Sequence, residues 1–193
     1  MGNAVEERAK AATLHDGDVI RILLEQHARI RDLFGQVQAS VGRETKQEAF
    51  DELRALLAVH ETAEELVLRP VTARLVGQNV VDERNDEEAE ATQVLSKLES
   101  LDIDSPEFLT QFAEFEQAVG QHADAEERDE FFHILTACSE EERLQMGGKV
   151  RAAEVVAPTR PHPGVEPGST TQKVTGPFLA LLDRARDAIS HAG

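Results

Sequence analysis

The stretch FDELRALLAVHETAEELVLRPV, residues 50–71, places apolar side chains at Phe50, Leu53, Leu57, Val67 or Leu68, and Val71. The three- and four-residue steps between them mark one buried stripe of a long amphipathic helix. His60 and Glu64 fall on that stripe. Residues four apart differ by about 40° of rotation and one turn of rise, so the imidazole and the carboxylate point into the same interior space. Burying an unpaired carboxylate is costly, so that space must hold a compensating charge. Two answers are open: a metal ion shared with ligands from facing helices, or a buried network of ion pairs and hydrogen bonds.

Working outward toward the N-terminus, Asp18 is a suitable N-cap for a helix carrying Ile20, Leu23, Leu24, Ile30 and Phe34 on one face. His27 completes that face. Around residues 41–44 the pattern breaks, and Thr45 with Glu48 reads as a capping box opening the second helix. Pro70 should kink or end it, and Gly77, Gln78 and Asn79 make the next turn.

Toward the C-terminus, a third helix over residues 80–101 turns Val81, Ala91, Leu95 and Leu98 inward, and the same phase brings Arg84 and Glu88 with them. Glu83, Asp86, Glu87 and Glu90 read as its solvated face. Ser105 before Pro106 is a dense helix start. The fourth helix buries Phe108, Phe112, Phe115 and Val119, followed in phase by His122 and Glu126, with Glu127, Arg128 and Glu130 expected outward. Ser139 and Glu142 cap a shorter fifth helix ending near Val156.

The chain therefore divides into an N-terminal segment (1–17), a helical domain (18–157), a proline-rich connector (158–176) and a C-terminal amphipathic helix (177–193). The first segment supports only a short, marginal helix with His15 in an exposed loop. His162 reads as a connector residue. Phe178, Leu181, Leu182, Ala185 and Ile189 give the last helix an apolar face that should dock on the bundle or on a second subunit.

Hydrophobic residues make up 40% of the chain, enough for a core, and the aromatic residues are all Phe, which with the abundant Ala, Leu and Val favours helices over sheets. The net charge of −17 argues against binding nucleic acid or an anionic membrane. No apolar run reaches the length of a transmembrane helix, residues 1–17 lack the apolar core of a secretory signal, and Cys138 is the one cysteine, so the expectation is a soluble cytoplasmic protein.

Four long helices joined by short turns predict an all-α, up-down-up-down four-helix bundle. In such a bundle, residues equidistant from a turn share a depth. His27 and His60 stand 17 and 16 residues from Glu44, and Glu88 and His122 each stand 17 from Ser105. One level then collects His27, His60, Glu64, Glu88, His122 and Glu126. Imidazole with carboxylate suits iron, manganese or zinc, and six such groups exceed one tetrahedral ion but serve two octahedral ions bridged by carboxylates. A zinc-protease motif fails because Glu64 stands where the second His is needed, and only Glu130 with His133 has the Glu-x-x-His form of ferritin-like sites.

His27, His60 with Glu64, and His122 with Glu126 are the residues on which the chain resembles the hemerythrin-like, or HHE cation-binding, proteins, over about residues 18–137. The segment APTRPHPGV, residues 157–165, resembles the C-terminal extension of actinobacterial members. The resemblance implies a non-heme di-iron centre with oxo and carboxylate bridges, Glu64 and Glu126 bridging or capping the irons. Members usually carry His on the third helix, where the register here puts Glu88, with Glu87 as second choice. A carboxylate there favours ferric iron over reversible oxygen carriage. The implied function is handling of oxygen-derived species, by peroxidase- or catalase-like decomposition of peroxide or by sensing O2 or redox state, with O2, peroxide or nitric oxide as small ligands and a role under oxidative stress. The alternatives are a non-enzymatic iron or O2 storage module, with the C-terminal helix reporting to a homodimer mate or protein partner, and a metal-free helical interaction protein.

Overall fold

The computed structural model describes residues 3–156 and 178–191 and is all-helical among them. A short α1 (Ala4–Ala11) precedes the long α2 (Val19–Ala39) and α3 (Arg43–Ala63). After α3 come α4 (Arg69–Val76), α5 (Gln78–Leu98), α6 (Pro106–Glu126), α7 (Phe132–Ala137), α8 (Glu140–Val156) and α9 (Phe178–His191). The bundle consists of α2, α3, α5 and α6: α2 packs on α3 and α6, and α5 packs on α6. α8 covers α2, and α9 lies along α3 and α8. No helix among the described residues is long and apolar enough to cross a membrane.

Local chemistry sets most boundaries. Asp18 caps α2 through its side chain, accepting from Ile20 N at 3.0 Å, and Ser105 caps α6 by accepting from Phe108 N at 3.1 Å. Ser139 and Glu142 form the reciprocal box that opens α8. The box expected at Thr45 and Glu48 is not used. Lys46 N already donates to Gly42 O at 2.9 Å, so α3 starts at Arg43, ahead of Thr45, with Gly42 as a cap without a side chain. The turn after Pro70 is also tighter than expected, a single Gly77 whose φ of 105° is open to glycine at little cost.

Pro70 does not end its helix. α3 runs into α4 through a π-helical turn, Glu64–Leu68, in which Arg69 N–H reaches back to Glu64 O. The wider turn accommodates a residue with no N–H of its own. A second π turn, Glu127–Phe131, joins α6 to α7. In a regular helix the fifth residue after a core position lies about 140° off its face. The π turns instead bring both the fourth and fifth residues inward: Leu68 and Arg69 after Glu64, Glu130 and Phe131 after Glu126. Glu130, expected on the surface, is fully buried because it stands one turn after Glu126 on the same face, and Glu127 is only 10% exposed.

The core falls into two apolar clusters. Phe34, Phe50, Phe108, Phe112 and Phe115 build one, with ring centroids 5.1 Å apart for Phe34 and Phe112 and 5.3 Å for Phe50 and Phe108. Ile20, Leu23, Leu24, Val59, Ala63, Leu68, Phe131 and Ile134 build the other. His27 and His60 lie at their boundary: Leu24 and Ala63 belong to one cluster, Ile30 and Leu57 to the other. α9 docks on the bundle through Phe178, Leu181, Leu182, Ala185 and Ile189. The N-terminal segment forms a docked helix: Asn3 caps α1, and its Glu7 is buried against Arg31 at 2.6 Å. The connector expected at 158–176, with His162, lies outside the described residues.

Candidate metal centre

All six side chains singled out by helical phase are drawn to one level. Their ligand atoms form two groups, His27, His60, Glu64 and Glu126, and Glu64, Glu88, His122 and Glu126, each with all atoms within 4.8 Å of one another. Glu64 and Glu126 belong to both, as bridging carboxylates between two cations would. Glu87, the alternative on α5, lies on the outer side of His122.

Each imidazole is held from behind. His60 Nδ1 lies 2.9 Å from Gln26 Oε1, and Gln26 is oriented in turn by donating from Nε2 to Glu154 Oε1 of α8 at 2.9 Å. His122 Nδ1 lies 2.7 Å from Glu87 Oε2, which also accepts from Arg84 at 2.7 Å. His27 Nδ1 faces Glu127 Oε1 at 3.4 Å, and Lys10 of α1 grips Glu127 at 2.6 Å. An acceptor behind Nδ1 fixes the proton there and leaves Nε2 as the inward lone pair.

The inward face is short of partners. Neither oxygen of the fully buried Glu64 has a hydrogen bond, and Glu126 Oε2 and His122 Nε2 also lack one. His27 Nε2 and His60 Nε2 face each other at 3.0 Å, a contact of two lone pairs unless a proton or a cation lies between them. The electrostatics follow. Burial pushes Glu64 well above the usual carboxyl range, and the Glu126 charge adds to it. Burial would raise Glu126 too, but His122, His27 and Arg69 hold it well below. Burial, with the neighbouring His27, drives His60 well below the ordinary imidazole value. His122 rises to about 10 against its burial, because Glu126 faces it. Such a set of buried donors fits a divalent cation, which would satisfy the orphaned oxygens and replace the protons.

Arg69 is the component that helical phase did not disclose. Its Nη1 donates to both oxygens of Glu130 at 2.8 Å, and its Nη2 donates to Glu88 and, at 2.7 Å, to Glu126 Oε1. Sequence reasoning also missed Gln26, Glu127 and Glu130. Arg69 is turned in by a π turn and Gln26 reaches His60 across helices, so helical phase shows neither, whereas Glu130 stands one turn after Glu126 and the four-residue spacing could have flagged it.

The centre opens onto a cleft of about 1460 Å³ between α2, α5 and α6. Ile30, Phe34, Leu57, Ala91 and Phe115 supply apolar lining, Arg84 and Glu87 supply charged lining, and Glu61 adds a carboxyl that burial holds well above the usual carboxylate range.

The family model for the hemerythrin HHE cation binding domain matches residues 18–134. A DNA nickase of Nostoc sp. is 28% identical over 154 residues, which are 80% of this chain and 43% of that protein. The chain thus spans less than half the length of that relative. A hemerythrin-like protein of Schizosaccharomyces pombe is 22% identical over 168 residues, 86% of this chain and 83% of the relative. No solved structure matches. A family match that covers both His-x-x-x-Glu motifs and the whole four-helix bundle makes this chain a member of the hemerythrin HHE cation-binding family.

Proposed function

We propose that this chain binds iron as a di-iron centre at His27, His60, Glu64, Glu88, His122 and Glu126, and handles oxygen-derived species there, by decomposing peroxide or by sensing oxygen or redox state. The observation that carries the reading is the inward set of three Nε2 atoms, each backed by an acceptor on Nδ1, around carboxylate oxygens without partners. Iron, when bound, supplies the electron transfer that such chemistry needs.

The protein's own part is positioning and access. Gln26, Glu87 and Glu127 hold the imidazoles. The apolar wall of Phe34, Leu57 and Phe115 limits bulk water, while Glu87 beside it, held below the usual carboxylate range by His122 and Arg84, favours small neutral molecules over anions. Neither Tyr nor Trp occurs in the chain, so proton transfer near the centre rests on carboxylates such as Glu88.

A second reading, a sensor without turnover, draws on the tie from Glu154 of α8 through Gln26 to His60, and on Arg186 of α9, which grips Glu65 next to Glu64 at 2.8 Å. Both outer helices thereby touch the centre's support. Contact with DNA, which the Nostoc relative's name raises, is opposed by the net charge of −17.

Elemental analysis and the ultraviolet-visible spectrum of freshly purified protein test the di-iron reading. Two irons per chain with near-ultraviolet charge-transfer bands are expected, followed by measurable peroxide consumption. Bound iron without consumption would favour the sensor. Failure to take up iron after anaerobic loading with ferrous salt would sink both.

A further inference from the structure

Arg69 sits among the carboxylates rather than beside them. Its Nη2 donates to Glu88 Oε1 and Glu126 Oε1 and approaches Glu64 Oε2 at 3.6 Å, so it contacts all three carboxylates of the group that includes His122. The other group is left clear. There, Glu126 Oε2 lies 3.4 Å from His27 Nε2, Glu64 Oε1 lies 3.5 Å from His60 Nε2, and neither oxygen has a hydrogen-bond partner. The two cation positions implied by the shared carboxylates are therefore unequal.

We propose that Arg69 is an internal cation that holds the position formed by Glu64, Glu88, His122 and Glu126, so that the centre loads metal in sequence, the His27 and His60 position first and the second only when the guanidinium withdraws. The inference rests on the metal-binding reading above. A guanidinium is charged at any physiological pH, so it cannot yield by losing a proton; it must move or share its carboxylates. The structure supplies a place to move to. Nη1 is anchored by both oxygens of the buried Glu130, so Nη2 can leave Glu88 and Glu126 without stranding the charge. The π turn after Glu64 makes this pairing possible by bringing in Arg69, while Glu130 stands one turn after Glu126 on the same face. Arg69 thus acts as a positioning residue that sets metal stoichiometry and order.

The test is titration of the full chain with Mn(II) alone, followed by calorimetry and electron paramagnetic resonance. The wild type should bind one equivalent tightly, with the spectrum of an isolated ion, and a second about tenfold or more weaker. Arg69→Met should tighten the second equivalent by about tenfold or more and give the spectrum of a coupled pair at two equivalents. Because that change leaves Glu130 buried without its partner, Arg69→Met combined with Glu130→Gln serves as the companion variant, with folding checked by circular dichroism. Two equivalents bound by the wild type with one affinity would overturn the proposal while leaving the metal reading intact. So would a folded variant whose second affinity is unchanged. Uptake of neither Mn(II) nor ferrous iron by the wild type would overturn both.

Discussion

The imidazole of His60 has no freedom to choose its tautomer. Gln26 presents its carbonyl oxygen to Nδ1 because Glu154 takes its amide, and the charge on Glu154 reads through two hydrogen bonds to the nitrogen that faces the centre. Outer partners of this kind commonly alter metal affinity by about ten- to a hundredfold. Gln26→Leu keeps size and helix propensity but removes the acceptor. The expected result is a loss of about tenfold or more in affinity for Mn(II), measured against a competing chelator, with the circular dichroism spectrum retained. Unchanged affinity would mean that the ring is held by packing alone. Glu127 plays the matching role for His27, where His27 and Lys10 outweigh its burial and lower it to about 2.

At the level of elements, α8 reaches the centre only because it lies very close to the turn before α2. A Cβ on Gly147 would stand 1.9 Å from Gly17 O and 3.2 Å from the Ile22 side chain. The obstacle is mainly backbone, and Gly17, at φ 89°, already occupies a conformation that side chains disfavour. Gly147→Ala should therefore push α8 away and cost on the order of 1–3 kcal/mol in urea denaturation. Since α8 carries Glu154, the same variant should also weaken Mn(II) binding. Destabilisation with full metal affinity would show that α8 supports the fold without supporting His60.

For the molecule as a whole, a charged layer between two apolar clusters is a cost that a bound cation turns into stability, by about 2.7 kcal/mol at a hundredfold excess over Kd. The pH dependence has a definite sign. His122, raised to about 10, contributes stability to the metal-free fold that is fully present below its unfolded value near 6.5 and is lost as pH rises through its folded value. A cation replaces that proton, so affinity should climb with pH up to about 10. His27 and Glu64, also raised, act in the same direction. The difference in thermal midpoint between Mn(II)-loaded and metal-free protein should therefore be larger at pH 8.5 than at pH 6.5, to the extent that about one proton is displaced. A constant or shrinking difference would show that no proton leaves on binding.

What the sequence by itself determined is whatever follows from helical period and local capping. The bundle helices, the caps at Asp18 and Ser105 and the apolar face of α9 depend on residues a turn or two apart, and the shared level of His27, His60, Glu64, Glu88, His122 and Glu126 on equal helix lengths either side of short turns. Only the tertiary structure decided the rest. Arg69 turns inward because a π turn breaks the 3.6-residue period at the end of the first His-x-x-x-Glu, as a second one does for Phe131 after Glu126, and a periodic reading carried past such a break assigns the wrong face. Gln26, Glu127 and Glu154 matter through partners 34 to 128 residues away, at distances set by how helices pack and not by spacing along the chain.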